Sequence, residues 1–244
     1  MRVWDIDAGF LNDRSLLGEH REIHGLVSVI IHQKTGYSRH PETLRWKSFT
    51  DALALRHELL VAEMTLRGFK HRSPLEPVDL LNHHCLNLSW PSDYIDPPHK
   101  QYEILGHKYI GKKQGRIPLP RNIQELWARH KYSVMARSYN AYKKYGKSVA
   151  RKEISFEQLS YEMTAYLRMP TSTPSLRNAL FHLWGYVSDF SSFKLSESDF
   201  ICFDLLKEIQ RQSLLHNVSY LIFSTALGEL SFRCKNSVSG SDDR

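Results

Sequence analysis

Asn12-Asp13-Arg14-Ser15-Leu16-Leu17-Gly18-Glu19-His20-Arg21-Glu22-Ile23-His24-Gly25-Leu26-Val27-Ser28-Val29-Ile30-Ile31 reads as one long amphipathic helix. Asn12 or Asp13 can cap it, because a short side-chain oxygen there accepts from an unpaired N–H of the first turn. Leu16, Ile23, Val27 and Ile30 recur at helical spacing, which predicts a helix over 13–31 with an apolar stripe. Its opposite side is unusual. Gly18, Arg21, Glu22 and Gly25 share a face, so a charged pair sits between two glycines that leave room for another backbone to approach. His20 and His24 have the i, i+4 spacing of paired metal ligands. No third ligand is evident, so both are expected as partly exposed helix histidines and no metal site is assigned.

Outward from this helix the chain alternates turns and helices. Lys34-Thr35-Gly36-Tyr37-Ser38-Arg39-His40 reads as a basic functional loop, and Pro41 suits the first position of a following helix. A second strong helix is expected over 49–67, with Leu55, Leu59, Ala62 and Leu66 inward and Gly68 as a left-handed cap. From Ser73 to Pro98 prolines indicate irregular chain; His83-His84-Cys85 in that stretch is a weak metal signal. A helix over 100–112 precedes Arg116-Ile117-Pro118-Leu119-Pro120, which reads as a domain boundary. Beyond it lie one long helix over 123–151, with Arg137, Asn140, Lys144, Lys147 and Arg151 on its polar side, and helices over 155–167, 175–187 and 198–230, the last broken near Asn217. The fold class is mainly α: a small helical domain over 1–118, an all-α domain over 121–234 and a frayed tail over 235–244. There is no internal repeat and no Gly-rich phosphate loop.

The chain has 244 residues, 41% of them apolar, which is enough for a true core and longer than one typical domain. No stretch approaches the roughly 20 apolar residues of a membrane span, and the first residues lack the apolar core of a signal peptide, so a cytoplasmic protein is expected. Cys85, Cys202 and Cys234 are odd in number and far apart, so they read as buried or inert thiols. The net charge of +7 points to an anionic partner. It is concentrated: from Arg121 to Lys152 nine Lys/Arg face one acid, Glu125. Histidine is skewed the other way, with ten of thirteen before residue 110.

Met1-Arg2-Val3-Trp4 places an apolar and an aromatic residue directly after the first charge, as if the chain start were anchored against the protein. An anchored α-amine can act as a nucleophile, since such amines titrate near 7.7 to 8.0 and keep a neutral fraction at physiological pH. Taken with Leu16-Leu17-Gly18-Glu19-His20-Arg21-Glu22, the 34–41 loop, Leu44-Arg45-Trp46 and Leu55-Arg56-His57-Glu58 through Gly68-Phe69, residues 1–115 resemble the pyrimidine-dimer DNA glycosylases of the phage endonuclease V type. The resemblance implies attack of the N-terminal amine on the sugar C1′ of a damaged nucleotide, a protonated imine, and strand cleavage by β-elimination. It implies Glu22 as catalytic glutamate, Arg21 as a phosphate-binding arginine and Arg2 as the arginine after the nucleophile. The phage enzymes expose a threonine; here Met1 itself is the aligned nucleophile, since Met before a bulky Arg is normally retained.

The second half, from Leu126-Trp127-Ala128-Arg129-His130-Lys131-Tyr132 through Leu183-Trp184-Gly185-Tyr186, resembles a bacterial domain of unknown function typified by YbgA, which implies no mechanism. The expected activity is that of a DNA repair glycosylase with AP lyase activity on UV-damaged duplex DNA, with no cofactor and no membrane partner. Expected DNA contacts are Arg2, Arg21, Arg39, His40 and Arg45 around an extruded nucleotide, and Arg137, Lys144, Lys147 and Arg151 on flanking DNA. Tyr37, Trp46 and Trp90 either stack on bases or pack in the core. The rival readings are a non-catalytic nucleic-acid-binding protein and a metal-dependent hydrolase using the histidines.

Overall fold

The computed structural model describes residues 1–75, 88–193 and 202–236. Among them are eleven α-helices and no strand, so the protein is mainly α. Helix α1 spans Asp13–Ile31, capped by Asn12, whose side chain accepts from the Ser15 N–H. The short α2 (Pro41–Trp46) starts on proline, with His40 Nδ1 accepting from the Glu42 N–H. Helix α3 (Thr50–Leu66) ends before Gly68 at φ +82°, a left-handed cap where a side chain would be strained. Helix α4 covers Pro98–Lys108. The expected long helix over 123–151 is instead two, α5 (Ile123–Met135) and α6 (Tyr139–Ala150). Arg137 sits in the turn between them, donating to the carbonyls of Ser133, Leu167 and Met169, while Ser138 caps α6. Helices α7 (Phe156–Arg168) and α8 (Thr173–Trp184) lie close to expectation, and α7 opens with a reciprocal Ser155–Gln158 capping box. The last expected helix resolves into α9 (Cys202–Leu215), α10 (Ser219–Ile222) and α11 (Ala226–Asn236), broken where Asn217 takes a positive φ.

The first twelve residues run through the interior as mostly extended chain. Val3, Ile6, Phe10 and Leu11 pack with Leu16 and Ile23 of α1, Leu53 and Leu60 of α3, Leu105 of α4 and Ile117. Each fully buried Leu, Ile or Phe contributes about 1.5–3 kcal/mol against leaving it in water. The same cluster includes Leu126, Leu159 and Met163, so the halves pack together across Arg116–Pro120. A second cluster joins Met135 to α8, α9 and α11 through Leu180, Leu183, Ile209 and Leu230. Gly115 makes the crossing over the N-terminal segment possible: a Cβ there would lie 2.6 Å from the Gly9 carbonyl oxygen, and the Ile117 N–H donates to that oxygen at 2.9 Å.

Two further expectations are corrected. Helix α3 is buried on nearly every side over its first half, from Ala52 to His57, while Leu59, Ala62 and Leu66 are only half-buried. It lies between α1 and α11, so no single stripe suffices. Cys202 and Cys234 form a disulfide across neighbouring α9 and α11, with Cα atoms 5.3 Å apart. Thirty-two residues separate them, and their pairing depends on how these helices pack, which the odd cysteine count concealed. Cys85, with His83 and His84, lies outside the described residues, as does the tail beyond residue 236. Among the described residues no helix is long and apolar enough to cross a membrane.

Candidate active site

Within the N-terminal segment only the N–H groups of Phe10 and Leu11 find backbone acceptors, in a 3₁₀ turn over Ala8–Phe10, and each other buried N–H or C=O left unpaired would cost about 1–3 kcal/mol. Side chains from four helices supply the partners. Glu22 accepts from the Arg2 N–H at 3.0 Å, Glu42 from Val3 at 3.0 Å, Glu19 from Trp4 at 3.0 Å and Gln101 from Asp5 at 2.8 Å. Arg56 then donates to the Ile6 carbonyl at 2.9 Å, and Arg67 to those of Ala8, Gly9 and Leu11. The acids therefore serve the N–H groups and the arginines the carbonyls. The anchored chain start expected from the sequence is held by this alternation.

At its beginning the α-amine of Met1 lies 3.2 Å from Glu22 Oε2. The same oxygen holds the Arg2 N–H, so Glu22 is fixed by one donor while facing the other. Its side chain keeps 38% of its surface exposed, whereas Glu19 and Glu42 behind it are buried. Burial raises the pKa of Glu19, against the pull of Arg56, which grips both its oxygens at 2.8 and 2.9 Å. Burial likewise raises Glu42, opposed by the Val3 N–H and Arg45. A nucleophile-class amine and a solvent-accessible carboxylate thus meet at the end of a buried scaffold.

The expected cations separate into three groups. Arg21 and Arg39 are exposed and pair with no acid among the described residues. Arg2 is half-exposed, stacked 4.0 Å over the Trp4 ring and paired with Asp96 at 2.9 Å; His40 is half-buried as the cap of α2. Arg45 and Arg137 are corrections. Arg45 is largely withdrawn from solvent between Asp5, Glu42 and the Asp93 carbonyl. Arg137 is buried and paired with both oxygens of Glu229 at 2.8 and 3.0 Å. Arg137 makes five hydrogen bonds inside the protein and Arg45 one from each guanidinium nitrogen, so both serve the structure rather than facing a phosphate. Of the expected helix face on the second half, Lys144, Lys147 and Arg151 are exposed. Tyr37 is 69% exposed in the 34–40 loop, Trp46 is buried with its N–H on Glu42, and Trp90 stacks under Arg168.

The residues that sequence reasoning missed are the anchors. Glu19 lies on the apolar side of α1 and Glu42 in the first turn of α2, where an acid reads as ordinary dipole complementation. Gln101 and Asp96 have no sequence signal. The reading that left His20 and His24 without a third ligand is also corrected: His57 of α3 and His71 reach the same point, with His57 Nε2 at 3.0 Å from His20 Nε2 and 3.2 Å from His24 Nε2, and His71 Nε2 at 3.1 Å from His20 Nε2. At 100° per residue this cluster and Glu22 flank the buried stripe of α1 on opposite sides.

No curated protein and no solved structure matches the chain. Two family models do, one over each half, with the order anticipated from the sequence. Residues 1–77 match pyrimidine dimer DNA glycosylase, a segment holding Met1, Glu22 and every anchor except Gln101 and Asp96, and residues 131–202 match a protein of unknown function, DUF1722. The chain is thus similar over its first 77 residues to the pyrimidine dimer DNA glycosylase family and over residues 131–202 to a family of unknown function.

Proposed function

We propose that the protein is a DNA glycosylase with AP lyase activity on UV-damaged duplex DNA, using the Met1 α-amine as nucleophile. The observation that carries this reading is the 3.2 Å approach of that amine to the accessible carboxylate of Glu22. Glu22 takes a proton from the ammonium, and the freed lone pair attacks C1′ as the bond to the damaged base breaks. Glu22 hands its proton to O4′ as the ring opens and the attacking nitrogen gives a second proton to the departing base, which leaves a protonated imine between Met1 and C1′ and a free Glu22 carboxylate. That imine acidifies the C2′ hydrogen; Glu22 assists its removal, and the electron pair expels the 3′ phosphate, cutting the strand. General acid–base help of this kind is worth about 10² to 10⁴ in rate. Water then releases Met1.

C1′ cannot be reached inside an undistorted stack, so the damaged nucleotide is extruded. The exposed guanidiniums of Arg21 and Arg39 suit its phosphates, and exposed Tyr37 suits the space it vacates. Borohydride, added while UV-irradiated duplex turns over, reduces the imine to a stable adduct. Peptide mapping is expected to place that adduct on Met1, with little trapping on undamaged duplex. An adduct on an internal lysine removes Met1 from the mechanism, and equal trapping on undamaged duplex removes lesion recognition.

A further inference from the structure

We propose that His20, His24, His57 and His71 form a tetrahedral zinc site that ties α1 to α3 and to the chain following α3. The ligand atoms of the first three lie within 4.8 Å of one another, and the His71 ring nitrogen is 3.1 Å from that of His20. Zinc–imidazole bonds of about 2.0–2.1 Å place neighbouring nitrogens of a tetrahedron about 3.3 Å apart, close to the spacings found here.

Hydrogen bonding alone does not account for this convergence. A neutral imidazole has one N–H and one lone pair. His57 is fully buried, and its Nδ1 lies 2.9 Å from Glu58 Oε1, which directs its N–H to the carboxylate and leaves a single lone pair on Nε2. Two ring nitrogens compete for that lone pair, those of His20 and His24. The His20 nitrogen is in turn shared with His71, and whichever it carries, proton or lone pair, serves one neighbour well and the other badly. One divalent cation satisfies all four at once. The Glu58–His57 contact has the carboxylate–imidazole form that orients metal-bound histidines. An all-imidazole, near-tetrahedral donor set suits Zn²⁺ better than Mg²⁺ or Ca²⁺, which require oxygen, or Cu²⁺, which prefers tetragonal geometry.

A site on the flank of α1 opposite Glu22 has a structural task. It fixes the rotation of α1, and with it the position of Glu22, without touching the imine chemistry. The test uses full-length protein stripped with chelator and titrated with Zn²⁺ by calorimetry and with Co²⁺ by visible absorption. One equivalent of Zn²⁺ is expected to bind and raise Tm, and Co²⁺ is expected to give the intense bands of tetrahedral coordination. His20 and His24 are partly exposed, so His24→Gln is expected to fold, as circular dichroism will check, and to bind Zn²⁺ at least 100-fold more weakly. Glu58→Gln is expected to weaken binding by about 10- to 100-fold. Unchanged affinity in His24→Gln, binding well below one equivalent, or an octahedral Co²⁺ spectrum overturns the site. Each readout is independent of glycosylase activity.

Discussion

The two flanks of α1 carry polar residues that look equally ordinary in the sequence and sit in opposite chemical situations. On one flank Glu22 is an acceptor supplied with two donors from the chain start, and its accounts balance while it stays open to water. On the other, four histidine rings converge with more nitrogens than protons can pair. Between them runs the buried stripe, where Glu19 is closed off by Arg56. The difference lies in what other parts of the chain bring to each flank. Residues 1–2 complete the first, whereas residues 57 and 71 bring further rings of the same kind to the second.

The sharpest way to break this comparison is to remove the open carboxylate while keeping its shape. Glu22→Gln is expected to bind UV-irradiated duplex yet cleave about 10²- to 10⁴-fold more slowly in single turnover. Cleavage at the parent rate would show that the exposed flank is not chemical. Glu19→Gln probes the closed stripe instead. It leaves Arg56 buried beside a neutral amide, and losing one partner of such a pair costs about 3–5 kcal/mol, read as a lower urea midpoint. A midpoint equal to the parent's would mean that the pair does not hold the N-terminal segment.

A smaller effect is expected at the exposed face of α6, where Lys144 and Lys147 pair with no acid among the described residues and Arg151, just past the helix, meets Glu153 at 3.7 Å. Replacing Lys144, Lys147 and Arg151 by Gln should flatten the dependence of log K on log salt by about 0.9 per lost phosphate contact, with the rate at saturating enzyme intact. An unchanged slope makes that face a solvated surface. A pH-dependent effect concerns Asp7, whose carboxyl is pushed up to about 7 by burial and by Glu63, against Arg116. Between about 4 and 7 the folded protein holds a proton that the unfolded chain has released, so Asp7 makes stability fall as pH rises through that window and adds no slope above it. His130, held near 4 mainly by burial, acts oppositely below about 6.5. Asp7→Asn should therefore gain stability relative to the parent between pH 5 and pH 8. Because the histidines are common to both proteins, the difference in urea midpoints isolates Asp7; a difference that does not change with pH would show that Asp7 ionises normally.

Local rules served well wherever neighbours in sequence decide the outcome. The bounds of α1, the glycine after α3 and the start of α7 follow from caps and periodicity, which act within a turn or two. Met1 with Glu22 was legible because the 16–22 motif and the first residues carry a family resemblance together. Arg137 was not, since its choice between a phosphate and Glu229 depends on a helix 92 residues away. Arg45 misled for the same reason: its partner Asp5 lies 40 residues back, and a cation in the last turn of a short helix looks the same whether it is paired or open. In the sequence His57 stands only as part of the 55–69 family motif, since its place beside His20 and His24 depends on how α3 packs on α1.

Asp5 brings a consequence for the life of the chain before it is complete. Its carboxylate is held by Arg45, by Gln101 and finally by Arg168, 163 residues further on. At ribosomal rates of 5–20 residues per second, that last partner arrives about 8 to 33 seconds after Asp5 is made. During that interval α1, α3 and α4 already supply cover for Val3, Trp4, Ile6 and Phe10, while the Asp5 carboxylate still lacks its last cation. The chain around Asp5 is therefore covered early and locked late, when α7 supplies Arg168.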